Sequence, residues 1–328
     1  MVLAKKQKYM IVHFILSGET LESISEEIKL ENPKYLKEFH NSHCAKEDII
    51  QDQLIPRKKL LIPDSKRIKE YNSRNDAPFK DPKVNPDLPF RPENFSKIFS
   101  VINKEVEESE FEKKGNVLLY TVSLKWVEKK ENFHIFHIFK NNFSNEHGSM
   151  MSDLASESIR ALNPVVVKTD EKGNLINVSL KHETINNFGV IKENLIDFFP
   201  DKYAGMYLDE FEFAVLNKEV FNERMKEDIF IKSYFASLRN TFKNGKLFLK
   251  QTIGEENIPI EVIQKIQNAD YREEIILEQK NESENDKDFT AKYILSAETG
   301  LVKNIEINHI ISRYGVKNTT FFSVEELA

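Results

Sequence analysis

The chain has 328 residues and a net charge of −6, with 47 basic and 53 acidic residues interspersed along its length. That is long enough for two domains, or one large one, each with a real core, and the acidic balance argues against a dedicated nucleic-acid binder. A single cysteine, Cys44, excludes an intrachain disulfide, so nothing requires an oxidising compartment.

The chain opens with "MVLAKKQKYMIVHFILSGET". A secretory signal needs a basic start, an uninterrupted apolar run of about 7–15 residues and a small-residue cleavage site. Here His13 breaks the apolar run, and Ser17-Gly18-Glu19 reads as a turn. The run therefore predicts a strand, and the expectation is a soluble chain, cytoplasmic at synthesis. No other run approaches the roughly 18 apolar residues of a membrane span, so no span is expected.

After the turn, Thr20 is placed to cap a helix whose apolar positions Leu21, Ile24 and Ile28 follow helical spacing. Asn32-Pro33 stops that helix and starts another, with Leu36 and Phe39 on its inner face. "KKLLIP" then predicts a second strand. The order is βααβ, two antiparallel strands with both helices on one face.

Those residues resemble the LysM domain over about residues 10–63. The first strand runs into Gly18, Glu19, Thr20 and Leu21, with Ile24 three positions on. Asn41 follows helix two, and Leu60, Ile62 and Pro63 close the motif. The segment from His40 to Ile55 is longer than usual, which makes this a long-loop variant, and Arg57 stands where the family usually has glycine. The resemblance implies recognition of N-acetylglucosamine-containing glycans such as peptidoglycan. The site lies between the two loops at one end of the strands: Ser17, Gly18, Glu19, Thr20 and Leu21 on one wall, Ile55 and Pro56 on the other, with Asn41 nearby. LysM-like modules in proteins without an export signal also occur in phage tails and contractile injection machines, where the module docks a protein partner.

The long loop contains "KEFHNSHCAKEDII", with His40, His43 and Cys44 close together. A structural zinc site takes four ligands, usually in pairs from two segments. No second cysteine exists, so the reading is structural: Phe39 and Cys44 fill the small core, and His40 and Asn41 cap helix two. Neither metal nor cofactor is expected.

Residues 65–93 carry five prolines between Pro78 and Pro92 and little apolar periodicity, which predicts a semi-rigid linker. It would separate a module at 1–64 from a larger one at 94–328. In the larger module, residues 118–126 and 133–140 alternate as two strands around a turn at 129–132, with His134 and His137 on opposite faces. Met151, Leu154 and Ile159 mark a helix, and "VVVKT" and "LINVSL" form a hairpin around Gly173. A similar hairpin surrounds Gly300, which suggests a duplicated unit. Between them, Leu208, Phe211 and Val215, then Phe221 and Met225, then Phe230, Tyr234, Leu238 and Phe242, recur at helical spacing. "EQKNESENDKD" at 278–288 reads as a polar loop. The fold class expected is α+β with an antiparallel sheet, and this module resembles no family.

The ten glycines are all more than eight residues apart, which excludes the dinucleotide fingerprint and the P-loop. No nucleophile-elbow, H-E-x-x-H or C-x-x-C motif occurs, and no catalytic residue is assigned. The expectation is a non-enzymatic binding or docking protein whose partner is a peptidoglycan-type glycan or a component of a bacterial contractile injection or secretion apparatus. The competing expectation is a cell-wall-active enzyme or toxin with an unrecognised catalytic domain.

Overall fold

The computed structural model describes residues 10–51, 53–74, 76–80, 85, 87–146, 148–242, 245–253, 258–267, 273–281 and 287–327. The chain divides into two compact units, Met1–Pro86 with Lys243–Gly245, and Asp87–Phe242 with Lys246–Ala328.

The first unit runs β1 (Met10–Phe14), α1 (Leu21–Glu27), α2 (Pro33–His43), β2 (Lys59–Pro63) and α3 (Ser65–Asn72). β1 and β2 pair antiparallel, with Val12 opposite Leu61. Thr20 caps α1 through a reciprocal box with Ser23, and Asn32 caps α2, with Pro33 in its first turn. Ile15, Ile24, Leu36, Leu60 and Ile62 form the core.

α3 corrects the linker reading of 65–93. Asp64 caps it by accepting from the Arg67 N–H at 2.8 Å, and Ile68 and Tyr71, three apart, pack on the unit's core. Tyr71 stacks on Tyr35 with ring centroids 4.7 Å apart. The Asn72 side chain accepts from Glu31 N and donates to Lys29 O. The prolines begin only at Pro78, so nothing interrupts a capped amphipathic turn before them. Residues 75, 81–84 and 86 of the predicted linker lie outside the described residues, and Leu88 is buried in the core of the second unit.

The second unit is built on one eleven-stranded antiparallel sheet. Its strands are β3 (Ser96–Glu108), β4 (Lys113–Lys130), β5 (Phe133–Asn145), β6 (Val165–Thr169), β7 (Leu175–Leu180), β8 (Lys246–Ile253), β9 (Ile258–Ile266), β10 (Glu274–Asn281), β11 (Lys287–Ser296), β12 (Val302–Arg313) and β13 (Val316–Glu326). They lie in the order β7-β6-β5-β4-β3-β13-β12-β11-β10-β9-β8. The α+β class holds. Helices α4 (Met150–Ala161), α5 (His182–Asn186), α6 (Phe188–Phe198), α7 (Lys202–Leu216), α8 (Lys218–Lys226) and α9 (Ile229–Tyr234) complete it.

β5 alternates as its sequence predicts: His134, Phe136, Ile138 and Lys140 face inward. His134 is buried and accepts from the Trp126 indole N–H at 3.2 Å, while His137 points the other way. Burial pulls both imidazoles below the ordinary histidine pKa. Lys140 reaches Asp228, which also caps α9, and Phe99 meets Tyr234 edge-on, with centroids 5.4 Å apart.

Two segments depart from expectation. Leu238 and Phe242 are buried, yet α9 ends at Tyr234 and the chain from 235 to 242 is irregular. The predicted loop at 278–288 instead contains the end of β10 and the start of β11, while 282–286 lie outside the described residues. Two of its polar side chains, Gln279 and Asn281, are buried. Gln279 Nε2 donates to Gln264 Oε1 at 2.7 Å, and Asn281 Oδ1 accepts from Phe289 N at 3.1 Å. Satisfied amides of this kind let a polar sequence occupy a sheet's inner face.

One strap, residues 89–91, clamps both predicted hairpins. Gly173 and Gly300 both have positive φ, 80° and 71°. A Cβ on Gly173 would lie 2.6 Å from the Phe90 ring, and one on Gly300 would lie 1.7 Å from Pro89 O. Buried Arg239 ties the assembly by donating to Pro89 O at 3.1 Å, to Lys172 O at 3.2 Å and to Gly300 O. Its guanidinium also sits 4.6 Å from the centroid of Phe90. The matching glycine turns are what any two hairpins held by one strap require, and the duplicated unit stays a proposal.

Candidate functional site

The two loops of the first unit meet beyond the end of the β1–β2 ladder. Ile15 N donates to Lys58 O at 3.0 Å, and Arg57 N donates to Ile15 O at 2.8 Å. These bonds place Leu16, Ser17 and Gly18 on one side and Ile55 and Pro56 on the other, all exposed. Gly18 has φ of 88° and open space where a Cβ would stand. Arg57 has φ of 69°, so the position where the resembled family carries glycine demands the left-handed conformation that glycine adopts freely.

The predicted residues divide into two sets. Glu19, Thr20, Leu21 and Asn41 are occupied by the fold itself. The Glu19 carboxylate bonds His13 Nε2 at 2.8 Å and accepts from Leu16 N at 2.7 Å. Those contacts, His13 first, hold its pKa below the ordinary carboxylate value. Thr20 Oγ1 accepts from Ser23 N, and its N–H is taken by Ser23 Oγ. Leu21 packs on the core. The Asn41 amide both donates to Ile50 O and accepts from Ile50 N, each at 2.9 Å, which fixes the long loop.

Ser17, Gly18, Ile55 and Pro56 remain open to a ligand. Among the described residues, the peptide groups of Ser17 and Gly18 make no hydrogen bond within the chain. Leu16 was not predicted, although its alternation with Val12 and Phe14 in the sequence would have placed it on the outer side of the strand.

The histidine-rich stretch is structural, though not by the capping roles expected of it. His40 is only 1 % exposed. Its Nδ1 accepts from Leu61 N at 3.0 Å, and its Nε2 meets Asp48 O at 2.8 Å. These two bonds join the long loop to β2 through the imidazole. The end of α2 is closed instead by Cys44 N donating to His40 O at 2.9 Å and by His43 Nδ1 at 2.8 Å from Phe39 O. Cys44 is half-buried rather than a core residue. Among the described residues no three His, Cys, Asp or Glu side chains form a group that could hold a metal ion.

This arrangement suits binding. Unpaired backbone donors and acceptors at Ser17–Gly18 stand beside the apolar surfaces of Leu16, Ile55 and Pro56. An acetamido group offers one donor and one acceptor to such a turn, and a sugar face covers apolar side chains.

No family model matches the chain, and no curated protein matches it. Among solved structures, the chain is similar to lipovitellin, in a structure describing its lipid–protein interactions. The TM-score is 0.39 at 10 % identity, over 73 % of this chain and 25 % of that one. The chain thus spans about a quarter of the lipovitellin chain. A DUF1329 family protein from Desulfovibrio piger is similar at TM-score 0.18 and 9 % identity, over 70 % of this chain and 86 % of that one. Among the described residues no helix is long and apolar enough to cross a membrane.

Proposed function

We propose that the chain is a binding protein whose first unit is a long-loop LysM-like module, with an N-acetylglucosamine-containing glycan as its ligand. The observation that carries this reading is the unpaired Ser17–Gly18 backbone beside exposed Leu16, Ile55 and Pro56. Titration of the full chain with N-acetylglucosamine oligomers tests it. Binding is expected, and Ile55→Asp should weaken it about tenfold, because a charge replaces an apolar contact with the sugar face. Absence of binding to the oligomers and to purified peptidoglycan would sink the glycan reading.

A second reading is docking to a protein of a bacterial contractile injection or secretion apparatus. Val12, Phe14 and Leu16 form an exposed apolar stripe on the outer side of β1 that runs into the same surface. A stripe of this kind suits a protein surface better than a sugar. Under this reading Phe14→Asp disrupts capture of the partner and leaves oligosaccharide binding unchanged. A fall in the turbidity of a peptidoglycan suspension, by contrast, would favour the cell-wall-active enzyme or toxin.

A further inference from the structure

Helices α6 and α7 are joined by three residues and bury Leu195, Ala204 and Leu208 in a small core with Leu154 of α4. Both helices carry large exposed apolar side chains. Phe198 is 80 % exposed, Tyr203 70 %, and Met206 and Phe213 61 % each, with Val190 and Leu216 also open. A contiguous pair of helices rarely shows water so much large apolar surface unless something covers it.

The charged residues of these helices are mainly acidic, although Arg224 of α8 lies 3.3 Å from Glu210. Over residues 188–216 there are six acids, Glu193, Asp197, Asp201, Asp209, Glu210 and Glu212, and two bases, Lys192 and Lys202, a difference of four negative charges. Lys192 is already taken, lying 2.7 Å from both Asp209 and Glu212 across the seam between the helices. That charge pattern disfavours an anionic lipid surface and favours a basic partner.

Each helix also carries a glycine. Gly189 lies one turn before Lys192, and Gly205 one turn before Asp209. A Cβ on either would meet nothing within 4 Å. Glycine weakens a helix, and here neither position is needed for packing within the chain. What these glycines permit is the close approach of another backbone from outside.

We propose that the α6–α7 seam is a docking site for a basic amphipathic helix of a partner protein, whose apolar stripe covers Met206 and Phe213 and whose lysines or arginines meet the acidic rim. Recognition of this kind places apolar anchors at helical spacing in a groove. The proposal rests on the second unit alone and is independent of the glycan reading.

The test is fluorescence anisotropy with the full chain and a labelled Leu/Lys helical peptide about as long as α7. Saturable binding is expected. Phe213→Asp should weaken it at least tenfold although it adds a negative charge, and Glu193→Lys with Asp197→Lys should weaken it too. Gly205→Leu should lower peptide affinity while raising the Tm, a combination that a purely structural glycine would not give. Circular dichroism checks that each variant is folded. The proposal is overturned if the peptide does not bind, if these variants bind it as well as the parent does, or if a Leu/Glu peptide binds equally. Binding of phosphatidylcholine vesicles through Phe198 and Phe213 without peptide binding would overturn it in favour of a lipid surface.

Discussion

Arg57 is where a single residue most visibly opposes its backbone. At φ of 69° an L side chain is strained, at a cost of roughly 1–2 kcal/mol, and glycine removes that strain but adds freedom to the unfolded chain. Arg57→Gly should therefore stabilise the first unit by about 0.5–1 kcal/mol net, read as a shift in its urea midpoint. An unchanged or lowered midpoint would mean that the arginine side chain makes up for its own strain. Glu19 sets the acid response of the same corner. Its bonds to His13 and Leu16 lower its folded pKa, so its contribution to stability is present above the unfolded carboxylate pKa and is lost as pH falls through the folded value. Glu19→Gln should be less stable than the parent near neutral pH, and the two unfolding midpoints should converge as the pH falls through the lowered folded value. A gap that stays constant with pH would show that the carboxylate charge is not what matters.

At the scale of elements, what the sequence made legible was local. Thr20, Asn32 and Pro33 announce the starts of α1 and α2, and the alternation of residues 133–140 announces β5, because caps and periodicity are written in neighbouring residues. The residues expected at the site fall into two sets. Ser17, Gly18, Ile55 and Pro56 are open, whereas Glu19, Thr20 and Asn41 turned out to be engaged by His13, Ser23 and Ile50, partners that a motif does not reveal. α3 was missed because the prolines after it dominate the composition of the segment, and its reason to exist, a place for Ile68 and Tyr71 on the core, is tertiary. The corresponding prediction is that a fragment of residues 10–64 is less stable than one of residues 10–86. Losing the Tyr35–Tyr71 stack, the burial of Ile68 and the Asn72 bonds should cost on the order of 3 kcal/mol. Equal melting temperatures for the two fragments would show that α3 is only an appendage.

At the scale of the whole chain, the second unit depends on contacts that no window of sequence could disclose. Its sheet pairs β3 with β13, Val101 opposite Val324, so its middle joins strands from the two ends of the unit. Such a topology closes late and needs long-range fasteners. Arg239 is one of them: it brings together Pro89, Lys172 and Gly300, three segments far apart in sequence. It is buried, which draws its pKa down to about 10, and its donors go to three backbone carbonyls. Arg239→Met keeps much of the volume and leaves those carbonyls without partners. The expected loss is on the order of 2–4 kcal/mol for the second unit, at about 1–3 kcal/mol for the buried Gly300 carbonyl and less for the two part-buried ones. Gly300→Ala attacks the same fastener from the other side, since its Cβ would collide with Pro89 O. If the strap acts as one device, the double variant should lose clearly less than the sum of the two single losses in urea unfolding. Simple additivity would show that the arginine and the turn act separately, and the two hairpins would then be held by their own strands rather than by the strap.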